Sequence, residues 1–334
     1  MSDVSTAPAG VTADTQVESS LRERRAEPRT LGSRFAGNID VIRRFPARHI
    51  MIGIALVWLV VFHYIPIWGI SFAFRRFSPL EGFFGANWVG LRYFEDFVTD
   101  PNTLRLIRNT VLLGFQQLVY GFPAPIIFAI LLNELANAKF KSWMQSFTYL
   151  PHFVSQVVIV GLMFQFVNFE GMVTRMIADI TGEAPVILAD PRAFRPMYVI
   201  SGIWQNLGWG SILYLAAMTG INPELYESAD IDGAGRFQKI WRVTLPSILP
   251  TILVLLILNT RTLIDVGFEK ALLIQNPATY ETSDIIQTYV YRRGIQNGQY
   301  GYATAVGLLN SIVSFSIVYA THRIVRRVRG QGLW

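Results

Sequence analysis

The sequence predicts an all-α integral membrane protein with six transmembrane helices, and three observations carry that expectation. Of its 334 residues, 51% are hydrophobic and 16% charged, whereas a typical soluble domain is about a quarter charged. The apolar residues gather in runs of about 20, the length that crosses hydrocarbon. A bilayer core leaves backbone groups no partner outside their own helix, so each run is expected to be helical. The formal net charge is +6, but the basic residues flank apolar runs and do not interleave with aromatics. They therefore mark topology, and no nucleic-acid partner is expected. There is no cysteine, which excludes disulfides, thiolate metal sites and cysteine nucleophiles.

The stretch from Met1 to about Ser33 is too polar to bury a core, and residues 1–48 are expected to form a mostly disordered cytoplasmic tail. Arg43-Arg44 resembles a twin-arginine export signal, but the apolar run after it is long and lacks a small-residue cleavage site. A basic flank that holds the tail in the cytoplasm is the preferred reading. Residues 49–107 hold the first span and an outer loop, residues 108–323 the remaining five spans, and residues 324–334 a second cytoplasmic tail. Spans are expected near 50–72, 109–132, 147–167, 197–218, 245–265 and 302–322.

Arginines from Arg22 to Arg48 precede the first span, and Arg323, Arg326, Arg327 and Arg329 follow the last. Both termini of this multi-pass chain are thus expected on the cytoplasmic side of the cell membrane, in contact with lipid, as an even number of spans requires. Lys139 and Lys141 in one inner loop and Arg236, Lys239 and Arg242 in another agree. Acids such as Glu81, Asp96, Asp100, Glu170 and Asp190 dilute the basic residues of the outer loops. The fifth span carries Arg261 and Asp265. Four residues apart, they are expected to pair along one helix face, the alternative being that Arg261 lines a pathway.

The inner loop over 222–245 carries the densest local signals. Asn222 suits an N-cap, Pro223 the first helical position, and Glu224 and Glu227 the positive end of the helix dipole. A short helix should run to about Asp232 and end at Gly233, which can take positive φ. A second helix is expected over 235–242, separated from the membrane span by Pro246. Phe237, Ile240 and Trp241 share one face of it, apart from Arg236, Lys239 and Arg242. An amphipathic helix lying on the bilayer surface would also show that pattern.

The run Glu227-Ser228-Ala229, followed by Asp232-Gly233-Ala234 and Val243-Thr244-Leu245-Pro246, closely resembles the Glu-Ala-Ala loop of binding-protein-dependent ABC importer permeases. Ser228 departs from the family's second alanine but is small enough to keep the packing. The segments Val266-Gly267-Phe268-Glu269, Asn276-Pro277, Thr288-Tyr289-Val290-Tyr291-Arg292, Tyr302-Ala303-Thr304-Ala305-Val306-Gly307 and Gly332-Leu333-Trp334 resemble the subfamily that carries complex polysaccharides and oligosaccharides. The resemblance covers the chain after about Arg43. It implies the type I importer permease architecture over 108–323, with 222–245 as the coupling loop. It also implies that Glu227, Ser228, Ala229, Asp232, Gly233, Ala234, Phe237, Leu245 and Pro246 form the seat for a separate ATPase subunit. The implied partners are a second homologous permease, two ATP-binding-cassette ATPase subunits and an extracytoplasmic sugar-binding protein. Import of a sugar is implied in the same way.

A sugar pathway needs hydrogen-bonding groups and aromatic faces at bilayer depth. The fourth span supplies Trp204, Gln205, Asn206 and Trp209 near its middle, where membrane tryptophans are not usually found. Gln205 and Trp209 share a face and are the first pathway candidates, with Gln116, Gln117, Gln165 and Asn310 behind them. Helix packing through Gly202, Gly208 and Gly210 is the competing explanation for that face. No glycine precedes any lysine, so a phosphate-binding loop ending in Gly-Lys-Ser or Gly-Lys-Thr is absent. The chain is expected to bind no cofactor and to leave ATP hydrolysis to its partners. Ion-coupled carriers place carboxylates or histidines in their spans, and here Asp265, His63 and His152 are isolated. A His-Glu-x-x-His helix and a Gly-x-Ser-x-Gly elbow are both missing, so neither a catalytic metal nor a hydrolase nucleophile is expected.

Overall fold

The computed structural model describes residues 46–77, 82 and 87–329. The tail expected over 1–48, including Arg22 to Arg44, falls almost wholly outside the described residues, as do Glu81 and Gly332-Leu333-Trp334. The chain divides into two units, Met1–Trp68 and Gly69–Trp334. In the first, α1 (Pro46–Leu59) continues through a π turn at Val60–Tyr64. None of the α1 residues is buried, as suits a helix whose solvent is hydrocarbon.

The second unit opens with a small antiparallel pair, β1 (Arg75–Arg76) and β2 (Asn87–Trp88), in which Arg75 lies opposite Trp88. The helices α2 (Arg92–Thr99), α3 (Thr103–Gln116), α4 (Pro123–Asn133), α5 (Ala138–Tyr149), α6 (Gln156–Val167) and α7 (Met172–Thr181) follow. Next come α8 (Pro191–Thr219), α9 (Pro223–Ile231), α10 (Arg236–Lys239), α11 (Leu245–Asn259), α12 (Phe268–Ile274), α13 (Ile286–Tyr291) and α14 (Tyr300–Arg329). Among the described residues, five helical stretches are long and apolar enough to cross a membrane: Pro46–Phe74, Thr103–Asn133, Gln156–Thr181, Arg236–Leu263 and Tyr300–Arg327. The remaining predicted span is α8, whose 29 residues reach about 44 Å at 1.5 Å per residue. Its glutamine, asparagine, serine and glycine residues keep it from standing out by apolarity alone.

Prolines shape these spans in a consistent way. Proline cannot donate to the helix ladder, and its ring presses on the carbonyl four residues back. Three π turns, at Val60–Tyr64, Gln117–Gly121 and Ile240–Thr244, each end two residues before a proline, namely Pro66, Pro123 and Pro246. Widening the turn moves the crowded carbonyl aside and keeps the helix continuous. This corrects the expectation that Pro246 separates the second loop helix from the membrane. Helix α10, the π turn and α11 form one rod from Arg236 to Leu263. A second correction concerns the third span, expected over 147–167. Pro151 lies in a 3₁₀ turn at Leu150–Phe153, after which Ser155 starts α6 afresh by accepting the Val158 N–H at 3.4 Å. At 12 residues α6 is about 18 Å long, and α7 extends the stretch.

Helix α8 packs against α4, α5 and α11. At one end Tyr214 and Met218 of α8 pack with Ala129, Leu132 and Ile248, and toward the other Phe194 and Tyr198 pack with Leu113, Val160 and Val266. Polar stitching closes the latter end. Asn109 of α3 donates to the carbonyls of Glu281 (2.9 Å) and Asp284 (3.1 Å) and accepts from Arg195 of α8 at 3.0 Å. Asp284 is buried and receives Arg292 at 2.7 Å, Thr288 at 3.1 Å and, more distantly, Arg105 at 3.7 Å. Nearby, burial alone would raise the Asp100 carboxyl. Hydrogen bonds from the Asn102 backbone, the Tyr289 hydroxyl and the Asn102 side chain, with the charge of Arg293, hold it below the ordinary carboxylate range instead.

Removing a carboxylate that two guanidiniums share leaves both charges uncompensated. Asp284→Ala is therefore expected to destabilise the fold by about 3 kcal/mol, read as a lower thermal unfolding midpoint in detergent. Asp96→Ala, which removes only an exposed pair with Arg92 at 4.0 Å, should change stability by less than about 1 kcal/mol.

Candidate functional site

The 222–246 elbow is built by local rules. Asn222 caps α9, its Oδ1 accepting the Glu224 N–H at 3.1 Å, and Pro223 occupies the first turn. The helix ends where the Gly233 N–H bonds the Asp230 carbonyl at 3.0 Å and the Ala234 N–H bonds the Ala229 carbonyl at 2.9 Å. That pair of bonds is a Schellman closure, which needs a left-handed residue between the two helices. Gly233 supplies it with φ +74°. A Cβ at this position would touch nothing within 4 Å, so conformation rather than packing fixes the glycine. Gly235 then starts α10, its N–H bonded to Gln238 Oε1 at 3.0 Å.

Two links brace the elbow. Lys239 pairs with Asp230 across the turn, and the Tyr226 and Thr244 hydroxyls meet at 2.9 Å. The outer edge is apolar: Phe237 is 73% and Trp241 57% exposed, their rings 6.1 Å apart, and Ile231 is also exposed. Glu227, Ser228, Asp232 and Pro246 are exposed beside them, whereas Ala229, Ala234 and Leu245 are half-buried.

A second polar feature lies along α8, a cavity of about 370 Å³. Gln117, Gln156, Gln205, Asn206, Asp265 and Lys270 are among its lining residues. Gln205 is buried and accepts from Gln156 Nε2 at 2.9 Å. Lys270, on α12, donates to the Tyr198 carbonyl at 2.6 Å. Arg261 and Asp265 form the expected pair, Nε to Oδ2 at 3.0 Å, past the end of α11.

The predicted pathway residues do not all converge. Gln205 lines the cavity. Trp209 lies outside it, stacked on His152 at 4.6 Å and 2°, while His152 Nδ1 meets Asn206 Oδ1 at 3.1 Å. Trp204 is exposed and does not line the cavity. On α3 Gln116 is half-buried, and it is the adjacent Gln117 that reaches the cavity. Asn310 lines a different cavity of about 530 Å³, with Phe268, Gln287, Tyr291 and Tyr300. Packing accounts for the glycines of α8: a Cβ at Gly208 would overlap the Thr148 carbonyl, and one at Gly210 would lie 2.9 Å from Pro125 Cγ. Sequence reasoning missed Lys270, which lies past the end of the fifth predicted span, and Gln156, which lies within the third. The one available signal was Lys270 directly after Val266-Gly267-Phe268-Glu269.

With this geometry in place, comparison with known proteins decides the family. The model of the binding-protein-dependent transport system inner membrane component matches residues 107–330. The chain belongs to that family. It is a permease, a transport subunit of an ABC importer and not an enzyme. Protein LplB of Bacillus subtilis (strain 168) is 43% identical to it over 280 residues, which cover 84% of this chain and 88% of that protein. The polygalacturonan/rhamnogalacturonan transport system permease protein YteP of the same organism is 38% identical over 287 residues, 86% of this chain and 89% of that one. A chain from the crystal structure of a bacterial alginate ABC transporter, in complex with an alginate pentasaccharide-bound periplasmic protein, matches with a TM-score of 0.80. It is 38% identical, and the match covers 88% of this permease and 99% of that chain. The fold is thus that of the type I importer permeases.

The contact of Gly208 with the Thr148 carbonyl admits no side chain, so Gly208→Ala should disrupt the α8–α5 packing. A loss of about 2 kcal/mol or more is expected, visible as reduced recovery of folded permease after detergent extraction. Gly161→Ala, where a Cβ meets nothing within 4 Å, should leave recovery unchanged.

Proposed function

We propose that this permease forms half of the translocation pathway for an oligosaccharide or polysaccharide fragment, and that the elbow around Gly233 couples it to a separate ATPase subunit. The observation that carries the proposal is the elbow itself. A Schellman turn presents Ile231, Phe237 and Trp241 outward beside polar residues, on a segment braced well enough to act as a rigid plug. An apolar edge of that kind loses free energy in water and gains it in a groove. The seat comprises Glu227, Ser228, Ala229, Asp232, Gly233, Ala234 and Phe237, with Leu245 and Pro246 at its junction with the membrane rod. A second homologous permease completes the pathway, a pair of ATPase subunits consumes the ATP, and an extracytoplasmic sugar-binding protein delivers the cargo. This chain itself binds no cofactor.

The elbow carries Arg236, Lys239 and Arg242, and Arg323, Arg326 and Arg327 end the last span. Basic residues of this kind favour the cytoplasmic side, which puts both termini there across an even number of spans. Along α8, Gln205 and Asn206 supply the polar face of the pathway, with Gln116, Trp204, Trp209 and Asn310 as further contacts at other depths. Oligosaccharide as cargo is supported by relatives named for polygalacturonan and alginate transport.

Valine resists positive φ, by about 1–2 kcal/mol or more. Gly233→Val is therefore expected to abolish sugar-stimulated ATP hydrolysis in the assembled importer while the permease still inserts and assembles. Normal stimulated hydrolysis in that variant would remove the coupling role from the elbow.

A further inference from the structure

Lys270 is a buried ionisable side chain outside the elbow, 6% exposed. The loop before it is shaped to bring it in. Gly267, at φ +62°, starts α12 where a Cβ would lie 2.8 Å from the Tyr198 hydroxyl, which in turn donates to the Val266 carbonyl. From there Lys270 crosses the Tyr198 ring, 4.6 Å from its centroid, and gives one N–H to the Tyr198 carbonyl. Gly202 opens the last space, since a Cβ there would lie 3.0 Å from Nζ and 3.4 Å from Gln117 Oε1.

An ammonium has three N–H donors. Among the described residues one acceptor meets Nζ, and no carboxylate comes within ion-pair distance of it. Of the two acids at the cavity, Asp265 is held by Arg261 and Glu269 is exposed. Burial without a counter-charge disfavours the ammonium form of Lys270, and an arriving carboxylate favours it again. Around it the amides of Gln117, Gln156, Gln205 and Asn206 offer donors and acceptors to hydroxyl groups. A volume of about 370 Å³ falls within the range of small-ligand sites.

We propose that Lys270 and the amides around it form a subsite for a sugar residue bearing a carboxylate, with Lys270 selecting acidic over neutral units during passage. This rests on the reading that the cavity belongs to the sugar pathway. The subsite pairs the carboxylate with Nζ and the ring hydroxyls with the amides, and it remains polar enough to release the unit again.

The test uses the assembled importer with its binding protein in proteoliposomes, and trigalacturonate and its methyl ester as probes. Lys270→Gln keeps an N–H for the Tyr198 carbonyl but removes the charge. It should lower initial uptake of trigalacturonate about tenfold or more and leave uptake of the ester unchanged. Equal loss for both probes, or no loss, would overturn the subsite and leave Lys270 as a structural staple. In the wild type, carbodiimide treatment with trigalacturonate should yield an amide adduct at Lys270 by mass spectrometry, and absence of the adduct also overturns the subsite. Wild-type complex that imports neither probe nor any other oligosaccharide with ATP would instead defeat the importer reading.

Discussion

Helix α8 must cross hydrocarbon while carrying amides and tryptophans near its middle, and much of the second unit is arranged to satisfy that requirement. An unpaired amide at bilayer depth costs several kcal/mol. Gln205 is therefore met by Gln156, and Asn206 by His152 and by its own helix through the Gly202 carbonyl at 3.0 Å. Such partners sit close only because glycines clear the way. Gly208 lets the Thr148 backbone lie directly on α8, and Gly202 admits the tip of Lys270. Small residues in membrane helices serve close packing, and here the same residues also admit polar groups. Polar contact and close approach are one design on this helix.

The rod from Arg236 to Leu263 joins the two polar features of the molecule. Its 28 residues span about 42 Å. At one end it is braced to α9 by Lys239 with Asp230 and by Thr244 with Tyr226. At the other it runs into Thr262 and Asp265 at the cavity wall. Had Pro246 broken the helix, displacement of the elbow would be lost in a flexible joint. The π turn at Ile240–Thr244 absorbs the missing donor within a continuous helix, so the elbow and cavity stay mechanically in series.

Much of this was legible in the sequence wherever the governing interaction is local. The cap at Asn222, the stop at Gly233 and the pair formed by Arg261 and Asp265 are set by residues within five positions of one another, and each was expected. Pro246 and Pro151 were harder, because a proline in a helix can be met by a break or by a wider turn, and the choice depends on packing. Pro151 ended its helix, whereas Pro246 did not. The cavity was harder still. Gln117, Gln156, Gln205 and Lys270 come from four segments, and no periodicity within one segment reports that they meet. Trp209 illustrates the converse: it shares a helix face with Gln205 in the sequence, yet it stacks on His152 outside the cavity.

The series arrangement of elbow, rod and cavity limits how transport can be regulated. If sugar at the cavity and an ATPase at the elbow both bias the position of one rod, their effects on each other's binding are a single coupling free energy and must be equal. A ligand that contacts the cavity wall equally in both rod positions would bind without signalling. The informative contacts are then those made to the rod's own end, at Thr262, and to the 264–270 segment that continues from it, which carries Asp265. That segment is itself anchored, through Gln287 Nε2 on the Ile264 carbonyl at 2.6 Å, to the helix carrying Thr288, which bonds Asp284. If the elbow couples to an ATPase as proposed, the buried network around Asp284 is the reference the rod would move against, since without one a displacement at the elbow would carry the cavity with it and open nothing.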